Sequence, residues 1–128
     1  MKNCLKVLVA DDSGLMRMVI KGVLKKLMPG IQFFESTNLI DTFEIIAAEE
    51  IEFLLLDINM PKGDSSPNTV REILAVRPDI KICMFTGNDK ATLQQQYKDA
   101  GAIGFIQKDE NMGISFEQVL KSFQLSFL

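Results

Sequence analysis

The stretch Phe53-Leu54-Leu55-Leu56-Asp57-Ile58-Asn59-Met60-Pro61 decides how this chain of 128 residues folds. Its four leading apolar residues follow one another without polar alternation, which is typical of a strand buried on both faces of a parallel sheet. The run ends on Asp57, a carboxylate with no basic residue after it until Lys62. Because open α/β sheets handle ligands just beyond the carboxyl ends of their strands, Asp57 lies where a functional residue is expected.

Four further apolar runs flank this strand and alternate with helical patterns. They predict strands at residues 6–10, 31–36, 81–86 and 103–107, each followed by a segment whose apolar residues recur every three or four positions. Such alternation implies right-handed βαβ units around a parallel sheet. We predict a three-layer α/β sandwich that forms one domain over residues 1–128. Its core extends from about residue 5 to 127, and no output domain is expected.

Local signals predict several helix boundaries. Ser66 followed by Pro67 is typical of an N-cap with proline in the first turn. Ser115 with Gln118 predicts a capping box at the start of the fifth helix. The fourth helix, about residues 90–100, carries few apolar residues, so we expect it to be weakly held. The inward face predicted for the first helix consists of Met16, Val19, Ile20, Val23, Leu24 and Leu27.

Composition excludes several classes of protein. The net charge is −3, and no cluster of lysine and arginine resembles a nucleic-acid-binding surface. No apolar run approaches the length of a membrane span, and the N-terminal residues lack the apolar segment of a signal peptide. We therefore expect a cytoplasmic protein that binds neither nucleic acid nor membrane.

The chain has no histidine and two cysteines. The absence of histidine excludes a histidine-based zinc site or catalytic triad, and it excludes this chain as a phosphohistidine donor. Cys4 and Cys83 lack metal-ligand spacing, and Cys83 lies in an apolar run that predicts a small buried residue. Acid–base or metal chemistry must therefore come from carboxylates, lysine and hydroxyls.

Polar side chains follow four of the five predicted strands. These residues are Asp11 with Asp12, then Asp57, Thr86 and Lys108. The carboxyl ends of parallel strands share one edge of the sheet, so we expect these side chains to meet there. Two like charges about 4 Å apart repel by roughly 4 kcal/mol at an effective dielectric of about 20, so the carboxylates must raise a pKa, recruit a lysine or bind a metal.

The metal that such a cluster favours is a hard cation. The side chains of the cluster that could bind a metal supply only oxygen ligands, which indicates Mg²⁺, with Mn²⁺ as the alternative. A carboxylate beside this cation, faced by a lysine and a hydroxyl, is equipped to accept a phosphoryl group.

Asp11, Asp12, Asp57, Thr86 and Lys108, together with the run from Asp57 to Pro61, resemble the motifs of a response-regulator receiver domain. The resemblance extends from about residue 6 to the end of the fifth helix and is greatest to single-domain, chemotaxis-type regulators of two-component systems. It implies a flavodoxin-like (βα)5 fold with sheet order 2-1-3-4-5.

The resemblance also implies a metal site. Asp12, Asp57 and the backbone carbonyl of Asn59 would bind Mg²⁺ directly, and Asp11 would act largely through water.

The same resemblance assigns the phosphoryl chemistry and the conformational switch. Asp57 would be the phosphoacceptor, and Lys108 would pair with the phosphoryl group. Thr86 would move toward that group after transfer. Phe105 matches the aromatic switch position, although an ordinary core aromatic is the alternative interpretation.

Two departures from the family pattern accompany these matches. Lys108 precedes Asp109 where family members usually carry a proline, so we expect a trans or a strained peptide bond there. Ser65 replaces the glycine that usually follows the proline loop. On the first helix, Leu15 and Met18 flank the buried face and are candidates for docking a kinase or a phosphotransfer helix bundle, or else ordinary exposed side chains.

The function predicted from these residues is two-component signalling. The receiver would take a phosphoryl group onto Asp57 from a histidine kinase or a histidine phosphotransfer protein. It would assist its own phosphorylation and dephosphorylation without being an enzyme toward other molecules. Output to a downstream target protein would pass through the surface of the fourth helix, fifth strand and fifth helix. We expect a monomer or a weak dimer.

Two alternatives come from other classes. A phosphorylation-independent interaction module would keep the acidic pocket and bind its partner constitutively; Asp109 and the altered loop favour it. An aspartyl-nucleophile phosphohydrolase would need an Asp-x-Asp motif after the first strand. The sequence Asp11-Asp12-Ser13 does not supply that motif, which argues against this class.

Overall fold

The computed structural model describes residues 5–61, 63–87 and 90–122. For residues 90–92 and 122 it describes only the backbone. Strands and helices alternate throughout these ranges. The elements are β1 (Lys6–Ala10), α1 (Gly14–Leu27), β2 (Gln32–Ser36), α2 (Leu39–Ala48), β3 (Phe53–Leu56), α3 (Pro67–Val76), β4 (Lys81–Thr86), α4 (Lys90–Ala100), β5 (Gly104–Gln107) and α5 (Met112–Ser122).

The five strands form one parallel sheet in the order β2-β1-β3-β4-β5. β3 lies at the centre, where Leu54 pairs with Leu8 of β1 and with Ile82 of β4. All four residues of β3 are buried, as its uninterrupted apolar run predicts. The predicted flavodoxin-like sheet order is therefore confirmed.

Each face of the sheet carries its own hydrophobic core. Phe53 and Leu55 of β3 pack on one face, and Leu54 and Leu56 pack on the other. The first core is closed by residues of α1 and α5, namely Ile20, Leu24, Phe116 and Leu120. The second core is closed by residues of α2, α3 and α4, namely Ile46, Val70, Ile73, Tyr97 and Ala100. The three predicted layers are confirmed, and Cys83 is a buried free thiol within the first core.

The start of α3 follows its capping signal. Ser66 Oγ accepts a hydrogen bond from Thr69 N at 3.4 Å, and Ser66 N donates to Thr69 Oγ1 at 3.0 Å. Pro67 occupies the first turn, where its missing N–H leaves no helical hydrogen bond unmade. The predicted cap is confirmed.

The predicted start of α5 is wrong. The helix begins at Met112, and Ser115 lies inside it, donating its backbone N–H to Asn111 O at 3.1 Å. Asp109 organises the turn that leads into the helix: its Oδ1 accepts from Asn111 N at 2.8 Å, and its carbonyl accepts from Met112 N at 3.1 Å. An Asp turn therefore replaces the predicted capping box.

The inward face of α1 is narrower than its apolar spacing predicts. Ile20 and Leu24 are buried, whereas Val19 is 39% exposed and lies at the margin of the helix–sheet contact. The predicted core residues after residue 122 lie outside the described part of the chain. Among the helices that the structure describes, none combines the length and apolar character needed to cross a bilayer.

Candidate functional site

The carboxyl edge of the sheet brings together the ends of β1, β3, β4 and β5. Asp57 N donates to Ala10 O at 3.0 Å, which places Asp57 beside the residue that follows β1, Asp11. Lys108 N donates to Thr86 O at 2.8 Å and continues the pairing of β4 with β5 to the same edge. Residues that are distant in sequence therefore share one site, as their positions after the strands predict.

Lys108 is the cation at the centre of this site. Its Nζ lies 3.0 Å from Asp57 Oδ2 and 2.8 Å from Asp11 Oδ2. The Lys108 side chain is 17% exposed, and both carboxylates are buried. The ammonium also lies 5.2 Å from the centroid of the Phe85 ring, which favours a positive charge at that point. Lys108 thus neutralises two carboxylates that burial would otherwise leave uncompensated.

The site perturbs the protonation of both partners of this pair. Burial raises the pKa of Asp57 above its ordinary value of 3.8, and the hydrogen bond from Lys108 offsets part of that rise. Burial lowers the pKa of Lys108, but its interactions with Asp11 and Asp57 outweigh burial, so that this pKa lies above 10.5. Asp57 is therefore a more basic carboxylate than an exposed aspartate, and Lys108 stays protonated.

A third carboxylate completes a cluster that fits a hard cation. Oxygen atoms of Asp11, Asp12 and Asp57 lie within 4.8 Å of one another. Asp11 Oδ1 accepts from Ser13 N at 2.9 Å, and Asp11 Oδ2 lies 2.8 Å from Lys108 Nζ. A donor set made of three carboxylates suits Mg²⁺ or Mn²⁺.

Asn59 lies at the open side of the site. It is exposed, two residues beyond Asp57, and its backbone N–H donates to Asp57 Oδ1 at 3.3 Å. This bond orients the Asp57 carboxylate and keeps Asn59 next to the acidic cluster.

The two predicted switch residues lie in the interior. Thr86 is fully buried at the end of β4. Phe105 is buried on β5, opposite Met84 in the β4–β5 register, and its ring centroid lies 5.8 Å from that of Tyr97 on α4. Phe105 thus occupies a core position and also contacts α4.

The two departures from the family pattern have structural roles. None of the peptide bonds in the described ranges is cis, so Lys108 joins Asp109 through a trans bond. Asp109 is exposed, and its carboxylate accepts a hydrogen bond from Asn111 N in the turn before α5. Ser65 is buried, and its Oγ donates to the backbone carbonyl of Asp57 at 2.6 Å.

Sequence patterns did not indicate two residues that hold the site in place. Arg17 of α1 donates from Nη1 to Asp11 O at 2.6 Å and from Nε to Glu35 Oε1 at 2.8 Å, so it ties the residue after β1 to both α1 and β2. Tyr97 of α4 donates to Ser65 O at 3.1 Å. The sequence does contain one sign of the Tyr97 contact. Tyr97 is a single tyrosine in a helix with few apolar residues, and the hydroxyl of a buried tyrosine needs a hydrogen-bond partner.

The residues predicted to dock a partner are exposed. Leu15 is 73% and Met18 69% exposed on α1, with Val19 adjoining them. These three residues lie in the first two turns of α1, which begins directly after Asp11, Asp12 and the Ser13 N-cap.

Comparison with known proteins identifies the family. Residues 7–119 match the family model described as the response regulator receiver domain. The chain belongs to this family. Receiver domains of two-component systems are signalling domains, which agrees with the acidic cluster at the carboxyl edge of this sheet.

Three known proteins illustrate the likeness. A protein-glutamate methylesterase/protein-glutamine glutaminase of Geobacter metallireducens is 34% identical over 121 residues, which cover 91% of this receiver and 33% of that protein. A response regulator from Thermotoga maritima superposes with a TM-score of 0.79 at 25% identity, covering 92% of this chain and 96% of that one. A Burkholderia pseudomallei response regulator, solved with a phosphorylated aspartic acid, a calcium ion and citrate, gives a TM-score of 0.77 at 22% identity, covering 96% and 68%.

The receiver spans only part of the curated relatives it matches. It covers 33% of the methylesterase and 53% of a glycerol metabolism activator from Pseudomonas putida. The activities of those whole proteins are therefore not transferred to this chain, and the predicted single-domain organisation stays a prediction.

Proposed function

We propose that this receiver accepts a phosphoryl group on Asp57 from the phosphohistidine of a histidine kinase or a histidine phosphotransfer protein, in a reaction that requires Mg²⁺. One observation carries the proposal: the buried Asp57 carboxylate has the Lys108 ammonium at 3.0 Å and two further carboxylates in the same cluster. Asp57 directly follows the central strand, and its carboxylate is also held by a hydrogen bond from Asn59 N at 3.3 Å.

The residues that would hold Mg²⁺ are Asp11, Asp12, Asp57 and the carbonyl of Asn59. When bound, the cation would neutralise charge on the transferred phosphoryl oxygens. Asp12 and Asp57 would bind it directly, together with that carbonyl, whereas Asp11, which already pairs with Lys108 at 2.8 Å, would act largely through water. A Burkholderia pseudomallei regulator of the same fold holds both a phosphorylated aspartic acid and a divalent ion, which supports this assignment.

Asp57 is the nucleophile in the proposed transfer. A bond forms between one of its carboxylate oxygens and phosphorus as the bond from phosphorus to the donor's imidazole nitrogen breaks, and the imidazole leaves with the electron pair. The burial that raises the pKa of Asp57 makes its carboxylate more basic, while its contact with Lys108 keeps it ionised. The bond from Asn59 N holds the carboxylate in a fixed orientation.

Lys108 and Thr86 respond to the new charge. The Lys108 ammonium shifts its contact from the Asp57 carboxylate to a phosphoryl oxygen, which requires only a small movement because Lys108 already contacts Asp57 Oδ2. The Thr86 hydroxyl turns toward the phosphoryl group and changes the packing beside Phe105. Hydrolysis of the acyl phosphate returns the receiver to its starting state.

The change is read by other proteins. We assign output to the surface of α4, β5 and α5, where a downstream target protein would bind, and we assign docking of the phosphohistidine partner to Leu15 and Met18. The cytoplasmic location and the monomeric or weakly dimeric state stay predictions from the sequence.

The test is covalent modification in a defined mixture. The receiver is incubated with acetyl phosphate and Mg²⁺, and the intact mass is measured with and without a chelator. We expect the mass of one phosphoryl group to appear in the wild type and to be absent in Asp57→Asn. Asp79→Asn, which alters an exposed carboxylate away from the cluster, should be modified normally. A missing mass shift in the wild type, or one that survives Asp57→Asn, would contradict the proposal.

A second candidate is a phosphorylation-independent interaction module. Two observations favour it: Lys108 pairs with both Asp11 and Asp57, and Phe105 is buried in the core. In that case the affinity for the downstream protein would be the same with and without beryllofluoride, which mimics a phosphoryl group. A higher affinity with beryllofluoride would exclude this candidate.

A further inference from the structure

Tyr97 anchors α4 to the body of the receiver. Among the α4 side chains that the structure describes, residues 93–100, only Tyr97 and Ala100 are buried, and Leu93 and Gln94 are partly buried. The Tyr97 ring packs against Phe105 at a centroid distance of 5.8 Å, and its hydroxyl donates to Ser65 O at 3.1 Å. A helix with so little buried surface depends strongly on this one side chain.

Ser65 connects the same contact to the phosphoacceptor. Its Oγ donates to Asp57 O at 2.6 Å, and its backbone N–H donates to Ile58 O at 2.8 Å. The residue that accepts a hydrogen bond from α4 thus donates two to the segment that carries Asp57. Only two side-chain hydrogen bonds, Tyr97 to Ser65 and Ser65 to Asp57, separate α4 from the backbone of Asp57.

Both hydroxyls make contacts that the rest of their side chains could not make. A glycine at position 65, as the family pattern has it, would lack the Oγ that reaches the Asp57 carbonyl. A phenylalanine at position 97 would fill the same space and keep the contact with Phe105 but would not donate to Ser65. Packing alone therefore does not account for the two hydrogen bonds, and the buried Asp57 and Ser65 carbonyls would lose these donors.

We propose that Ser65 and Tyr97 are positioning residues that couple the occupancy of the Asp57 site to the docking of α4. The inference rests on the proposed function, because the input is a phosphoryl group or its mimic on Asp57. The link holds the segment after β3 in the geometry that receives this group, and by reciprocity the group stabilises α4 in its docked position. In this chain the hydroxyl that makes the link belongs to Tyr97 on α4, because Phe105 at the aromatic switch position has no hydroxyl.

The test compares Tyr97→Phe and Ser65→Ala with Ser36→Ala. Ser36 is also buried, but its hydroxyl bonds to Thr42 Oγ1 at 2.7 Å, apart from this link. The affinity for beryllofluoride in the presence of Mg²⁺ is measured by calorimetry, and hydrogen exchange of the α4 amides is measured with and without both ligands. We expect about fivefold weaker binding in the first two variants, because binding must then order a segment that the lost hydrogen bond no longer holds in place, and unchanged binding in Ser36→Ala.

Hydrogen exchange separates coupling from simple anchoring. In the wild type, beryllofluoride with Mg²⁺ should slow exchange in α4, and in Tyr97→Phe and Ser65→Ala this slowing should be reduced. Faster α4 exchange in the variants with beryllofluoride affinity equal to that of the wild type would show that Tyr97 only anchors the helix, and would overturn the proposal.

A measurement on the unaltered chain keeps the inference testable whatever the variants do. Tyr97 is the only tyrosine, and the chain has no tryptophan, so tyrosine fluorescence reports this one residue. Its emission should change on adding Mg²⁺ with beryllofluoride. If the wild type binds beryllofluoride without a change in emission, the link is refuted while the proposed function stands. If the wild type neither binds beryllofluoride nor is phosphorylated, both fail.

Discussion

Lys108 Nζ lies 3.0 Å from Asp57 Oδ2, although the two residues are 51 positions apart in the chain. Asp11 Oδ2 lies 2.8 Å from the same ammonium, so one cation serves two buried carboxylates. Without that cation the carboxylates would repel each other in a poorly solvated pocket. The stability of the receiver and its proposed chemistry therefore depend on the same side chain.

Replacing Lys108 should destabilise the fold. We expect Lys108→Met to lower the free energy of unfolding by about 3 kcal/mol near neutral pH, because it leaves buried carboxylates without their counterion. Mg²⁺ should restore part of this loss by taking over the neutralisation. The measurement is urea unfolding with and without Mg²⁺.

The control for this variant breaks a different lysine pair. Lys121 contacts Glu117 at 3.0 Å on the exposed side of α5. Lys121→Met should change the free energy of unfolding by less than about 0.5 kcal/mol. Similar effects of the two variants would show that the central ion pair contributes no more than a surface pair.

Removal of Asp12 should abolish stabilisation by Mg²⁺ with little effect on the metal-free fold. Asp12 is exposed, so Asp12→Asn should change the free energy of unfolding by about 0.5 kcal/mol or less without metal. In the wild type, Mg²⁺ at about a hundredfold excess over its dissociation constant should add about 2.7 kcal/mol. Thermal unfolding across a Mg²⁺ titration provides the measurement. Equal stabilisation of the wild type and Asp12→Asn would place the cation elsewhere, and Asp79→Asn should behave like the wild type.

Gly101 is required by the turn between α4 and β5. Its φ is 118°, and a β-carbon there would collide with Leu74 Cδ1 of α3. We expect Gly101→Ala to lower the free energy of unfolding by about 1–3 kcal/mol. Gly22→Ala is the matched control: Gly22 lies within α1 with open space around its Cα, so the same change should stabilise by up to about 1 kcal/mol. Denaturant unfolding of both variants provides the measurement. Destabilisation of equal size in Gly101→Ala and Gly22→Ala would show that neither the positive φ nor the contact with Leu74 requires glycine at position 101.

Tyr97 should titrate above its ordinary pKa. Burial raises this pKa above 10.0, and the nearby charge of Asp64 adds to the rise. Because the folded-state pKa exceeds the unfolded value, the stability contributed by the neutral phenol is fully present below pH 10.0 and is lost as pH rises through the folded-state pKa.

Ultraviolet absorbance of the single tyrosinate measures this titration directly. The midpoint should lie above 10.0 in the folded receiver and return to about 10 in denaturant. Asp64→Asn should lower the folded-state midpoint, since it removes the adjacent negative charge. A folded-state midpoint at or below the denatured value would contradict the contacts described for Tyr97.

Several features of this receiver were determined by the sequence alone. The run from Phe53 to Leu56 indicates a central buried strand, and Ser66-Pro67 marks the start of α3; both are confirmed. Asp57 and Lys108 each follow a predicted parallel strand, which was enough to predict that their side chains lie together at the carboxyl edge of the sheet. These inferences succeed because strand burial and helix capping depend on neighbours in sequence, and because βαβ units leave few possible arrangements.

Only the tertiary structure decided which groups touch. The distance from Lys108 to Asp57, the link from Tyr97 through Ser65 to Asp57, and the exposure of Val19 all depend on how separate elements pack. The start of α5 likewise departs from its capping pattern because Asp109 forms a competing turn. A periodic pattern determines which face of an element is apolar. It does not determine the relative positions of side chains from different elements, because these arise from the packing of the whole sheet and its helices.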